Sequence, residues 1–146
     1  MGRCISAHLP KGDISMSTLE TYAHPAGRVL LALIFIVAGF GKLGDVQGFS
    51  GYLASGGLPA FLAWPAVLFE IIAGLALAVG FMTRPVALAL AAFSIVTAFL
   101  YHLPVNEMQQ VMFLKNLAMT GGYLLLVAHG AGALSVDRRR GGAAFA

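Results

Sequence analysis

An all-α, four-helix transmembrane bundle with both termini on the cytoplasmic side is the fold this sequence predicts. Three observations lead there. Of 146 residues, 59% are hydrophobic and only 10% charged, with a mean hydropathy of +0.85. A soluble domain carries about 25% charged residues, and a chain this short could not hide so much apolar surface from water. The apolar residues are gathered into four runs, each near the ~20 residues a helix needs to cross a ~30 Å hydrocarbon core. Finally, Lys and Arg fall almost entirely on one side of those runs.

Taken in order, residues 1–25 are polar, lack a periodic apolar face and read as a flexible cytoplasmic arm, with Met1 and Met16 both candidate starts. The opening MGRCIS matches a myristoylation pattern, but the pattern is short and nothing else in the chain supports lipidation. The spans are expected at about 26–43, 59–81, 85–103 and 111–130. Backbone in lipid must satisfy its own hydrogen bonds, so these are helices, and barrel-type alternation is absent. No small-residue cleavage site follows the first run and Lys42 comes at once, so it is an uncleaved helix rather than a signal peptide. Pro85 suits the first turn of the third span. In the longest connection, 44–59, Phe49, Tyr52 and Leu53 have helical spacing; a short interfacial helix and an irregular loop fit equally.

Orientation follows from charge. Arg3, Lys11, Arg28, Arg84, Arg138, Arg139 and Arg140 lie on one side, Lys42 alone on the other, and Lys115 within the fourth span. Basic loops stay in the cytoplasm, which places the basic tail 138–146 there too. Trp64, Tyr52 and Tyr101 form an aromatic belt at the outer ends, with Tyr22 and Phe81 near the inner ends. The net charge of +3 is explained by this asymmetry and gives no reason to expect a nucleic-acid partner. The lipid bilayer is the expected environment. One cysteine, Cys4, excludes an intrachain disulfide and a thiolate metal cluster.

The residue that demands explanation is Glu70, in the middle of AVLFEIIAGLALAVG. A charged side chain at mid-bilayer costs roughly 2.5–3.5 kcal/mol on translocon scales, so it should face the bundle and have a partner. Depth suggests Lys115: five residues into the fourth span, it lies roughly 8 Å below the outer surface at 1.5 Å per residue. Asn116, Thr120, Ser94 and Thr97 are polar at similar depths. With His102 and Lys42 at the outer ends, they would form one seam from the bundle centre to the outer surface. A purely structural pair that fixes helix register accounts for Glu70 and Lys115 as well. Lys42 and His102 taken singly read as snorkelling interfacial residues. Gly74 with Ala78, and Gly121 with Gly122, read as helix-packing positions.

Other chemistries fail on context. GFGKLG at 39–44 fits a dinucleotide pattern but follows a membrane helix rather than a strand. His102 and His129 fall at opposite ends of the bundle and cannot share a haem. No metal site is expected.

Arg28, FIVAGFGKL ending at Lys42, Glu70, GLALAVGFMTR ending at Arg84, and FLKNLAMTGGYLLLVAHGAGALSVD ending at Asp137 together resemble the DoxX family of small bacterial inner-membrane proteins. The resemblance spans about residues 26–137 and draws Arg28, Arg84, Gly121, Gly122 and Asp137 into its motif. It implies an inner-membrane, four-span protein and a role as a non-haem subunit of a quinone-linked oxidoreductase system. In that role Glu70, Lys115 and His102 would bind a quinone headgroup or relay protons. Since the chain carries no recognisable redox centre, its electrons would come from another membrane or redox subunit. The alternatives are a transporter or binder of a small lipophilic molecule that uses the same seam, or a structural partner of another membrane protein.

Overall fold

The computed structural model describes residues 13–103 and 105–141, so the myristoylation-like opening, Cys4 and the end of the basic tail lie outside the described residues. The helices are α1 (Asp13–Leu43), α2 (Val46–Ser55), α3 (Ala63–Val79), α4 (Thr83–Tyr101), α5 (Glu107–His129) and α6 (Val136–Arg139), with a 3-10 turn at Ala60–Leu62 leading into α3. Four stretches are long and apolar enough to cross a membrane: Thr21–Leu43, Ala60–Val79, Thr83–Tyr101 and Glu107–His129. They coincide with the four expected spans.

One boundary differs from expectation, and one open alternative is decided. α1 starts at Asp13 rather than near 26, so the second half of the supposed arm is helical and carries Pro25 within the helix. Apolar length marks where a helix enters lipid, not where it starts. A helix nucleated in the membrane extends into polar sequence at little cost, because each added residue gains a hydrogen bond. The 44–59 connection contains a real helix: the Asp45 side chain accepts from Gly48 N–H at 2.8 Å and starts α2.

The bundle is built from two tight pairs, α1 with α3 and α4 with α5, which touch each other more sparsely. Small residues explain the first pair. A Cβ at Gly39 would lie 2.6 Å from Ile71 Cγ1, and one at Gly74 would lie 2.9 Å from Ile36 Cγ1. The glycine of the rejected nucleotide motif is thus a helix-crossing point. Gly122 meets Leu31 in the same manner, but a Cβ at Gly121 would meet nothing, so its expected packing role is corrected. Phe35, Leu77, Leu90 and Tyr123 anchor the core, and Tyr123 Oη donates to the Leu31 carbonyl at 2.9 Å. Large apolar residues such as Leu30, Ile72, Phe99 and Leu125 are exposed around the outside, as a lipid-facing surface requires.

The end carrying both termini is tied by backbone contacts. α3 stops at Gly80, whose left-handed conformation (φ 71°) brings Phe81 N–H to the Ala76 carbonyl at 2.9 Å. Arg28, 3% exposed, reaches this turn: Nη2 donates to Ala78 O at 3.2 Å and Leu134 O at 2.9 Å, and Nη1 to Ala131 O at 2.5 Å. Asp137 accepts from Met82 N–H at 2.7 Å and Thr83 N–H at 2.9 Å, capping α4 from the far end of the chain. Arg140 lies over the Phe81 ring at 5.2 Å.

Candidate functional site: a cavity between the helix pairs

Where the two helix pairs separate, opposite the termini, they leave a cavity of about 700 Å³ roofed by α2. Its walls are mostly aliphatic and aromatic. Phe69 and Phe93 meet at 5.2 Å between ring centroids, and Phe93 also packs edge-on against Phe35 at 5.7 Å. The helical spacing of Phe49, Tyr52 and Leu53 turns all three toward this space. Tyr52 stacks on Tyr101 at 4.7 Å, and Tyr101 Oη donates to the Leu53 carbonyl at 3.1 Å, so the roof is pinned to α4. Tyr52 and Tyr101 therefore pack on each other rather than serve only as belt residues. Partial burial, and next the adjacent Tyr101 phenol, push the Tyr52 hydroxyl above its ordinary range, so it stays protonated.

Of the seam residues, Lys42, Glu70, Thr97, His102, Lys115 and Asn116 line this cavity and Ser94 and Thr120 do not, and the pairing among them differs from expectation. Glu70 does not meet Lys115. Lys42 Nζ donates to both Glu70 oxygens, at 2.7 Å to Oε1 and 2.5 Å to Oε2, and lies 4.9 Å from the centroid of the Phe49 ring. Lys42 is therefore more than a snorkelling residue. The cause is the close crossing of α1 and α3. Gly39 sits against the Glu70 Cβ, and Lys42 is one helical turn further along the same face. Depth along the bilayer normal could not reveal this, because it says nothing of which helices are neighbours.

Among the described residues Lys115 instead reaches only Met112 Sδ, at 3.4 Å. Asn116 Nδ2 donates to Met112 O, and Thr120 Oγ1 to Asn116 O, both within α5. Thr97 Oγ1 likewise bonds within α4, to Phe93 O at 2.9 Å. His102 Nδ1 pairs with Gln109 Oε1 at 2.9 Å across the α4–α5 connection. Ser94 Oγ is fully buried without a partner among the described residues, as is Arg84 Nε. At the opposite end of the bundle His24 stands 6.4 Å from His129 between ring centroids, a juxtaposition that spacing along the chain did not suggest. Among the described residues no group of three or more His, Cys, Asp or Glu side chains could hold a metal.

Arg28 and Asp137 lie far from the cavity, in the polar knot at the other end. These features can be set beside known proteins. The DoxX family profile matches residues 24–103. The chain belongs to the DoxX family. The inner membrane protein YqjF of Escherichia coli (strain K12) is 41% identical over 124 residues, which cover 84% of this chain and 95% of that protein. The inner membrane protein YphA of the same organism is 35% identical over 120 residues, covering 77% of this chain and 86% of its own. No solved structure matches. With four apolar helices and inner-membrane relatives, this DoxX protein is a multi-pass inner-membrane protein.

Proposed function

We propose that this DoxX protein binds a small lipophilic molecule with a polar head in the cavity beneath α2. The observation that carries the reading is the cavity itself. At about 700 Å³ it falls within the ~300–1,000 Å³ usual for small-molecule sites, and it has their character of apolar walls with a few convergent polar groups. A cleft of this size between the helix pairs forgoes side-chain packing of the kind made in the core around Tyr123. The Lys42–Glu70 pair stands in its wall, so the polar groups need not be orphaned when an apolar body enters.

A quinone is one molecule of this kind, and the residues suit it. Phe69 and Phe93 offer ring contacts, and Lys115 offers a donor for a carbonyl oxygen, with Asn116 and His102 also in the cavity lining. When bound, a quinone would supply two-electron redox chemistry, with electrons passing from a partner subunit. The residues of this chain would hold the head and keep water from it.

Binding is tested with neutral probes, ubiquinone-1 and dodecanol, by equilibrium dialysis against the protein in nanodiscs with empty discs subtracted. Saturable binding near one per chain is expected. Ala66→Phe, which grows a ring into the cavity, should weaken it at least about tenfold. Absence of saturable binding to the unaltered protein, both by these probes and by an anionic amphiphile of the same chain length, would overturn the reading.

The proposal includes orientation: both termini in the cytoplasm and α2 on the outer face, supported by the seven-to-one distribution of basic residues. Reporter fusions at residue 146 and in the 44–59 connection are expected to report cytoplasm and exterior respectively. The reverse result would open the cavity toward the cytoplasm.

A further inference from the structure

Resting on the cavity reading above, we infer that the ligand is a lipophilic anion, whose acidic head is held by Lys115 while its apolar body lies between the helix pairs. The argument is a balance of charge. Three strongly ionic side chains line the cavity: Glu70, Lys42 and Lys115. Glu70 spends both oxygens on Lys42, and this is the one ion pair among the described residues. The acid and its lysine cancel, and Lys115 is left over.

Among the described residues Lys115 has no adequate acceptor of its own. Its ammonium meets a thioether, which is a weak acceptor. The neighbouring amide does not accept from it: the one side-chain hydrogen bond of Asn116 runs from Nδ2 to the Met112 carbonyl. His102 is turned to Gln109. Among the described residues no second carboxylate lines the cavity. Lys115 stands at the exposed rim of an apolar cavity with no counter-charge beside it among the described residues, and a bound carboxylate or phosphate ester gives its ammonium a charge-assisted bond, roughly twice as strong as a neutral one. A neutral guest would leave the cation as it is.

The alternative for Lys115 is that it merely snorkels to lipid phosphates. The two roles separate on ligand preference. Dodecanoate and dodecanol share a chain and differ in head charge. Both are measured by equilibrium dialysis at pH 8 against the full chain in phosphatidylcholine nanodiscs, again with empty discs subtracted. The expected result is that dodecanoate binds about tenfold more tightly, the size of one charge-assisted hydrogen bond. Lys115→Met should reduce that ratio to within about twofold, and Lys115→Arg, which keeps the cation, should retain most of it. Lys115 is exposed and its substitution leaves the core intact, so a folded variant is expected from each.

Repeating the titration in discs containing phosphatidylglycerol identifies the source of the anion. Competition by that lipid means that the site takes an anionic membrane lipid, and unchanged affinity means that it takes a free amphiphile. Equal binding of dodecanoate and dodecanol, or a preference that survives Lys115→Met, overturns the anion assignment while the cavity reading stands. Failure of both probes to bind removes the cavity reading and this inference together.

Discussion

Replacing Lys42 with Met is expected to destabilise the bundle by about 3 kcal/mol, and Glu70→Met by a similar amount, while the double replacement returns close to the starting stability. The singles are costly for one reason. Each leaves the partner's charge without the counter-charge it touches, in a place of restricted solvent access: Glu70 is 4% exposed at its side chain, and Lys42 27%. The value is placed at the low end of the ~3–5 kcal/mol seen for broken buried pairs because Lys42 keeps partial access to solvent. In the double variant two thioethers fill the gap between α1 and α3 and no charge is stranded. Unfolding in detergent, followed by the fluorescence of the single tryptophan, Trp64, and by circular dichroism, measures all four corners of the cycle. Simple additivity of the two single effects would mean that the contact contributes nothing. Lys115→Met should change stability by less than about 0.5 kcal/mol, the usual range for an exposed position; a loss as large as that of Lys42→Met would restore the Glu70–Lys115 pairing.

That contrast shows where sequence reasoning reached and where it stopped. The spans were legible because hydropathy and length are one-dimensional properties, and the bilayer converts them directly into structure. The seam was partly legible for the same reason: Glu70, Lys115, Asn116 and His102 could be ranked by depth. What depth omits is the angular order of helices around the bundle. α1 packs on α3 and α4 on α5, so Glu70 and Lys115 face one another across a cavity rather than touch. The available signal was Gly39, the point of closest approach to Glu70, one turn from Lys42. It was masked by its resemblance to a phosphate-binding loop. The role of Arg28 was harder still to see. Its acceptors are backbone carbonyls 50, 103 and 106 residues away, and carbonyls leave no mark on a side-chain pattern. Asp137 was visible as a motif position, but it acts as a helix cap for α4, more than 50 residues distant, so no local capping pattern announced it.

Arg28→Met is expected to be at least as damaging as the loss of Lys42, about 3 kcal/mol or more. Three carbonyls, Ala78 at the end of α3 and Ala131 and Leu134 after α5, depend on one guanidinium. Hydrogen bonds to a charged group contribute ~1.5–3 kcal/mol each, though three that share one donor group will not sum. The cation also sits at the C-terminal end of α3, where the helix dipole favours it. Methionine would fill the volume while leaving the buried carbonyls without their donor. Arg28→Lys should recover less than half of the loss, because an ammonium on a flexible stem cannot match a planar fork directed at three separate acceptors. The same knot includes Asp137, whose backbone N–H donates to the Gly80 carbonyl at 2.9 Å while its carboxylate caps α4. Asp137→Ala alone should cost ~1–2 kcal/mol, the range for a lost cap. Arg28 and Asp137 grip opposite sides of the turn at Gly80, so removing the first already loosens the second, and the double variant should fall short of the sum. Thermal unfolding of the four proteins in detergent checks this. An Arg28→Met variant that unfolds at the unaltered temperature would mean that those carbonyls find other donors, and that the brace does not hold this end of the bundle together.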